Sequence, residues 1–184
     1  MLPEPVPIIR RRENLVFSNR FGELYDDEVE GPSGDRGNYL RWRWGARGVV
    51  VAARSSKGTL FVPAYRYPPG VVSLELPRGG WDVGESLEEA ACRELLEESG
   101  YVGGQVTERG QIYPDTGLIE NAVTVAEVLI AEPDLGVGEQ RAEVMESVAE
   151  AVWLSDDDVL RKVANGELRC SISIAAFTMC RLAH

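Results

Sequence analysis

The stretch GGWDVGESLEEAACRELLEESG, residues 79–100, decides the fold because it combines a glycine-rich loop with one strongly marked helix. Ser86 and Glu89 have the spacing of a capping box, in which both side chains accept hydrogen bonds from backbone amides at a helix start. Gly100 stands where a left-handed residue ends many helices. Apolar residues four positions apart give this helix one face that packs on a core; they are Leu87, Ala91 and Leu95. The sequence therefore predicts a loop followed by a helix that docks through one face.

Three carboxylates, Glu94, Glu97 and Glu98, lie within one turn of the predicted helix, where side chains three and four residues apart are neighbours. Like charges at this spacing destabilise a helix, and the negative end of the helix dipole adds to the cost for Glu97 and Glu98. Two interpretations follow. The carboxylates form a solvated acidic face paired with Arg93, or they hold a hard divalent cation such as Mg²⁺, which prefers carboxylate oxygens.

Composition and charge limit the functions available to the chain. The 184 residues are enough for one compact domain, and the net charge of −11 disfavours binding to nucleic acid. The proline-interrupted N-terminus predicts neither a signal peptide nor a membrane span, so we expect a cytoplasmic protein without membrane partners. With three scattered cysteines and a single histidine at position 184, we expect no disulfide framework, zinc site or Ser-His-Asp arrangement.

The chain divides into an N-terminal strand region, residues 1–45, and a main domain, residues 46–184. The first part predicts short antiparallel strands, because turn residues separate runs such as LRWRW at 40–44. In the second, six runs predict strands and two predict further helices. The strand runs are GVVVAA, TLFVPAYRY, VVSLELP, VTERGQIYP, NAVTVAEVLIAE and AEAVWLS, and the helical runs are SDDDVLRKVANG and ISIAAFTMCRLA. The stretch GGWDVGE reads as a loop. Strands interleaved with helices predict an α/β or α+β sandwich.

The 79–100 stretch resembles the Nudix box, which reads G, five residues, E, seven residues, R-E-U-x-E-E-x-G-U, with U a bulky aliphatic residue. Every fixed position is filled at the right spacing, and only Tyr101 departs, at the last aliphatic place. The matching residues are Gly79, Glu85, Arg93, Glu94, Leu95, Glu97, Glu98 and Gly100. The resemblance implies a mixed β-sheet sandwiched between helices and a hydrolase of nucleoside diphosphates linked to another moiety.

The resemblance also implies roles for single residues. Glu94, Glu97 and Glu98 would hold Mg²⁺, or Mn²⁺, together with a backbone carbonyl at Arg78 or Gly79. Glu85 would pair with Arg93 and brace the loop against the helix.

The general base is expected on a loop before the last strand in relatives that act on ADP-ribose. Glu146 is favoured there, Glu143 is the second choice and Glu139 is held in reserve. In other relatives a glutamate of the box serves instead, which here makes Glu97 a further catalytic choice.

The flanking segments resemble ADP-ribose and nucleotide-sugar pyrophosphatases. In VPAYRYPPGVVSLELPRGGWDVGE, Arg66 occupies the place of an arginine expected to grip the diphosphate, and Arg78 replaces the usual alanine beside the box. In YPDTGLIE, Tyr113 matches the subfamily, whereas Thr116 stands where those enzymes carry proline. We therefore expect Arg66, Arg78 and Tyr113 to contact a nucleotide-sugar substrate, and Thr116 leaves the choice of sugar open.

The predicted function is hydrolysis of ADP-ribose or a related nucleoside diphosphate sugar to a nucleoside monophosphate and a sugar phosphate. The alternatives are another Nudix substrate, such as a dinucleoside polyphosphate, NADH or a nucleoside triphosphate, and a non-catalytic nucleotide-binding domain. The same subfamily exchanges N-terminal strands in homodimers, so a homodimer is expected. Trp42 and Trp44 would pack either at that interface or in the core of one subunit.

Overall fold

The computed structural model describes residues 4–131 and 147–183. The first strands form an antiparallel sheet in which β3 is central. β4 pairs with β3 along its whole length, while β1 and β2 pair with different halves of its other edge. The bounds are β1 (Ile9–Arg12), β2 (Leu15–Asn19), β3 (Gly22–Glu30) and β4 (Arg36–Trp44). The predicted N-terminal antiparallel region is confirmed.

A second, larger sheet forms the centre of the molecule, with strand order β11-β6-β5-β10-β9. β7 continues the pairing beside β6, and β8 continues it beside β5. β5 and β10 run parallel, and the other pairs are antiparallel. The bounds are β5 (Arg47–Ser55), β6 (Gly58–Arg66), β7 (Val71–Glu75), β8 (Arg78–Trp81), β9 (Gln105–Ile112), β10 (Val123–Leu129) and β11 (Val152–Leu154).

The central strands are apolar at successive positions because both faces of the sheet are covered. Helix α1 (Leu87–Ser99) packs on one face through Ala90, Ala91 and Leu95. Helix α3 (Ser171–Leu182) covers the other face, and α2 (Asp156–Ala164) contributes Val159 to the same core. This arrangement confirms the predicted mixed α/β fold with a sheet between helices. None of the described helices has the length and apolar character that crossing a membrane requires.

The N-terminal sheet is joined to the larger unit through β4. Trp42 N–H donates to the Leu118 carbonyl at 2.8 Å, and Glu120 N–H donates to the Trp42 carbonyl at 2.9 Å. The side-chain oxygen of Asn121 accepts from Trp44 N–H at 2.7 Å, and Trp44 packs against the core on the α3 face. The loop after β9 therefore fixes the N-terminal sheet, and Trp44 belongs to the core of one subunit.

Local signals in the sequence agree closely with the ends of α1. Ser86 and Glu89 form the capping box, and Gly100 adopts the left-handed conformation with φ 77°. The prediction that GGWDVGE is entirely a loop was wrong, because β8 extends to Trp81 by pairing with residues 47–50 of β5. Cys92, Cys170 and Cys180 are free thiols.

Candidate functional site

Glu85 and Arg93 join the loop before α1 to the helix itself. Arg93 Nε donates to Glu85 Oε1 at 2.8 Å and Nη2 donates to Oε2 at 2.9 Å, which makes a bidentate pair. The same Nη2 donates to the Gly80 carbonyl at 2.8 Å, and Asp82 N–H donates to Glu85 at 2.9 Å. Hydrogen bonding to Arg93 lowers the pKa of Glu85 to about 2, and the same bond raises the pKa of Arg93. The predicted Glu85–Arg93 pair is thus present and charged.

Two carboxylates of α1, those of Glu94 and Glu98, are buried. Glu94 is 5% exposed and Glu98 is 1% exposed. The remaining nitrogen of Arg93, Nη1, donates to Glu94 Oε1 at 2.7 Å and to Glu97 Oε2 at 3.1 Å. Glu98 Oε2 accepts from the backbone N–H of Arg78 at 3.0 Å. Burial of Glu94 and Glu98 excludes the interpretation of a solvated acidic face for these two side chains.

Gly79 allows Glu94 to approach β8 closely. A Cβ atom added at Gly79 would overlap the carboxylate group of Glu94, whereas one added at the next residue, Gly80, meets nothing within 4 Å. Glycine is therefore needed at position 79 because a side chain there would occupy the space of the Glu94 carboxylate. Its backbone conformation is one that other residues also adopt.

The donor set of this cluster fits a hard divalent cation. Glu94, Glu97 and Glu98 supply carboxylate oxygens, the ligands that Mg²⁺ and Mn²⁺ accept. Within residues 4–131 and 147–183, no three acidic, histidine or cysteine side chains already converge as a metal site. The reason is visible in the contacts, since Arg93 bridges Glu94 and Glu97 while Glu98 is turned to the Arg78 amide. The donors fit such a cation by chemical type, and the guanidinium of Arg93 holds two of them, Glu94 and Glu97, beside each other.

Arg66 and Arg78, predicted to contact substrate, share one buried carboxylate. Arg66 Nη2 lies 3.0 Å and Arg78 Nη2 lies 2.7 Å from Glu75 Oε2, and Glu75 is 2% exposed. Burial alone would raise the pKa of Glu75, but hydrogen bonding to Arg66 and the charges of both arginines hold it below its usual range. Sequence reasoning missed Glu75, although it lies within the motif-like run that contains both arginines.

A cavity of about 550 Å³ lies beside these arginines and Gly79, between the N-terminal sheet and the end of the larger one. Two residues that sequence reasoning missed, Arg20 and Arg47, also line it. No motif marks either of them, because they come from distant parts of the chain. Only folding brings Arg20 and Arg47 into the same cavity wall as Gly79 of the box.

The remaining predicted residues lie elsewhere. Tyr113 follows β9, is 60% exposed and is not among the residues that line this cavity, so its contact with substrate stays a prediction. Glu139, Glu143 and Glu146 lie outside the described residues, and their role as general base also stays a prediction.

Replacing Gly79 by alanine is expected to displace the Glu94 carboxylate. We expect the affinity for Mn²⁺, measured by electron paramagnetic resonance, to fall about 10-fold, in the range seen when groups that position metal ligands are removed. Gly80→Ala is the matched control, because its added methyl group meets open space. Equal Mn²⁺ affinity in the two variants would show that the contact between Gly79 and Glu94 is irrelevant to the site.

The Glu85–Arg93 pair is expected to stabilise the fold in a pH-dependent way. The pKa of Glu85 falls from an ordinary 4.5 to about 2 in the folded chain. Its contribution to the free energy of unfolding is therefore complete above pH 4.5 and is lost as the pH falls towards 2. Urea titrations of the wild type and Glu85→Gln should differ most near neutral pH and converge in acid. The exposed neighbour Glu88→Gln serves as control, and a pH-independent difference for Glu85→Gln would contradict the assignment.

Comparison with known proteins agrees with the fold and the box. The model of the NUDIX domain matches residues 43–171. The ADP-ribose pyrophosphatase of Bacillus subtilis is 29% identical over 154 residues, which cover 83% of this chain and 81% of that protein. The putative nudix hydrolase 2 of Caenorhabditis elegans is 44% identical over 82 residues, 42% of this chain but only 37% of that protein.

A solved structure described as the crystal structure of ADP compounds hydrolase has the same fold, with a TM-score of 0.81 over 98% of this chain and 95% of that one, at 17% identity. The prediction made from the box is therefore confirmed. The chain belongs to the Nudix hydrolase family.

Proposed function

We propose that this chain hydrolyses the pyrophosphate bond of ADP-ribose or a related nucleoside diphosphate sugar, with Mg²⁺ or Mn²⁺ as cofactor. One observation carries the proposal: the box carboxylates gather around Arg93 next to Gly79, which also lines the arginine-rich cavity. A cluster of carboxylates alone would repel a diphosphate. Arginines beside it supply the attraction, and the similarity to an ADP-ribose pyrophosphatase over most of both chains supports this substrate class.

Glu94, Glu97 and Glu98 would hold the divalent cation, together with the carbonyl of Gly79. When bound, such a cation neutralises phosphate oxygens and lowers the pKa of a coordinated water. Glu85 and Arg93 keep the loop and the helix at a fixed separation, because their bidentate pair connects the two. Gly79 leaves room for the Glu94 carboxylate.

Proton transfer from the attacking water requires a base near the cluster. Glu146 is the favoured residue and Glu143 the second choice, both proposed from family resemblance alone. Glu97 is the alternative base that lies within the described residues. Its side chain is 32% exposed and lies beside the two buried carboxylates. Arg66 and Arg78 would orient the diphosphate at the cavity wall, where Glu75 fixes their side chains.

The substrate class is tested by assaying ADP-ribose, other nucleoside diphosphate sugars, NADH, a dinucleoside polyphosphate and a nucleoside triphosphate with Mg²⁺. We expect ADP-ribose or another diphosphate sugar to have the highest kcat/KM, with AMP and ribose phosphate released from ADP-ribose. Absence of hydrolysis of every diphosphate sugar would overturn the proposal.

Glu98→Gln is expected to lower kcat about 100-fold or more, because it removes a negative ligand while keeping the side-chain volume. Far-UV circular dichroism should show an unchanged fold. Glu88→Gln removes a charge from the exposed face of the same helix and should retain wild-type turnover. Full activity of Glu98→Gln would contradict the assignment of the metal ligands.

We also propose that two copies of this chain associate through the N-terminal sheet. A strand normally buries one face, yet three successive residues of β2, Leu15, Val16 and Phe17, are 52%, 57% and 52% exposed. On the same sheet, Ile9 of β1 and the preceding Ile8 add side chains that are 47% and 52% exposed. An apolar surface on both faces of a strand is typical of a region that a partner covers.

Light scattering coupled to size exclusion should therefore give the mass of a dimer, and Phe17→Asp should give a monomer. Leu182→Asp, at a residue that is 79% exposed at the end of α3, is the matched control and should remain dimeric. A monomeric wild type would refute this interface.

A further inference from the structure

Arg47 is shared by the walls of two cavities. It lines the 550 Å³ cavity described above and also a second cavity of about 420 Å³, whose wall includes Trp81. Arg47 is the first residue of β5 and is paired with Trp81 of the neighbouring strand β8, so the two side chains lie on the same face of the sheet. A ligand that fills both cavities has to pass Arg47.

The guanidinium of Arg47 is available to such a ligand. Among residues 4–131 and 147–183 it has no carboxylate partner, and it lies over the ring of Trp81 at 5.3 Å from the centroid. Arg66 and Arg78 differ, because both are paired with Glu75. In a chain with a net charge of −11, an arginine that is held by an aromatic ring and not neutralised by an acid suits an anionic ligand.

The two cavities offer different chemistry. The larger one contains the aromatic side chains of Phe21 and Trp44 and the guanidinium of Arg20. Aromatic faces bind a planar base by stacking. The smaller cavity is lined mainly by polar side chains, and such donors and acceptors bind hydroxyl groups. These polar residues are Glu108, Gln111, Asn121 and Thr124.

We propose that Arg47 binds the diphosphate, with the base in the larger cavity and the hydroxyl-bearing sugar in the smaller one. The inference rests on the proposed function and adds to it the residue that anchors the diphosphate. It also assigns Glu108 and Gln111 as residues that determine which sugar is accepted. Neither side chain has a hydrogen-bond or ion-pair partner within the described part of the chain, so both are available to the sugar.

Binding of the non-hydrolysable α,β-methylene analogue of ADP-ribose, measured by calorimetry with Mg²⁺, tests the role of Arg47. We expect Arg47→Gln to weaken binding roughly 10- to 100-fold, as the loss of a hydrogen bond to a charged group does. Arg47→Lys keeps the positive charge but loses the planar pair of guanidinium donors. Its affinity for the analogue should lie between those of Arg47→Gln and the wild type. Arg36→Gln removes the same charge from β4 outside both cavities and should bind normally. Wild-type affinity in Arg47→Gln overturns the inference.

Gln111→Ala tests the sugar cavity. It should weaken binding of the analogue about 10-fold and leave binding of AMP unchanged, because AMP has no second sugar. An equal loss for both ligands, or no loss for either, would overturn the assignment of this cavity to the sugar.

Inorganic pyrophosphate separates this inference from the proposed function. If the wild type neither hydrolyses nor binds diphosphate sugars, the proposed function fails. Weaker pyrophosphate binding by Arg47→Gln than by Arg36→Gln would still support Arg47 as the residue that anchors the diphosphate. Equal binding by the two variants would overturn that role.

Discussion

One guanidinium, that of Arg93, holds together the loop and the helix on which the site depends. Two of its nitrogens clasp Glu85 on the loop, and the third bridges Glu94 and Glu97 on the helix. Several carboxylates brought within one helical turn would repel one another. The guanidinium between Glu94 and Glu97 offsets their repulsion and fixes where these two carboxylates lie. Arg93 therefore sets the positions of Glu85, Glu94 and Glu97 relative to one another.

Burial gives this arrangement its precision. Glu94 and Glu98 are almost completely buried, and a buried carboxylate is tolerated only where hydrogen bonds replace its water. The backbone N–H of Arg78 donates a hydrogen bond to Glu98, and the side chain of Arg93 donates one to Glu94. The contact with Glu98 depends on β8 lying beside the helix, and β8 in turn depends on pairing with the start of β5. The position of the carboxylates is thus set by the edge of the sheet as well as by the helix.

Features that depend on neighbouring residues were predicted from the sequence. Features that depend on contacts between distant segments of the chain were not. The capping box at Ser86 and the left-handed Gly100 are local, so both ends of α1 agree with expectation. The extension of β8 to Trp81 was missed, since two glycines favour a loop until β5 supplies a partner strand. Arg47 was missed for the same reason, because only the folded chain brings it beside the box.

The structure also distinguishes arginines that a sequence presents as equivalent. Arg66 stands at the motif position expected to grip a diphosphate. In the folded chain it forms an ion pair with the buried Glu75, and no local sequence pattern predicts that pair. An arginine already paired with a buried acid keeps its geometry but offers less net charge to a ligand. Arg47 keeps its full charge and lacks such a partner among the described residues. In the proposed complex the paired arginines would shape the cavity wall, and Arg47 would attract the anion.

The N-terminal sheet belongs to the site even though the family match begins only at residue 43. Arg20 and Phe21 line the larger cavity from the turn between β2 and β3. Asn121 connects the two regions directly, since it accepts the Trp44 amide and also lines the smaller cavity. Any shift of the N-terminal sheet would therefore move a wall of each cavity at once. The strands outside the family match thus add Arg20 and Phe21 to the wall of the larger cavity, while the family box supplies the carboxylates.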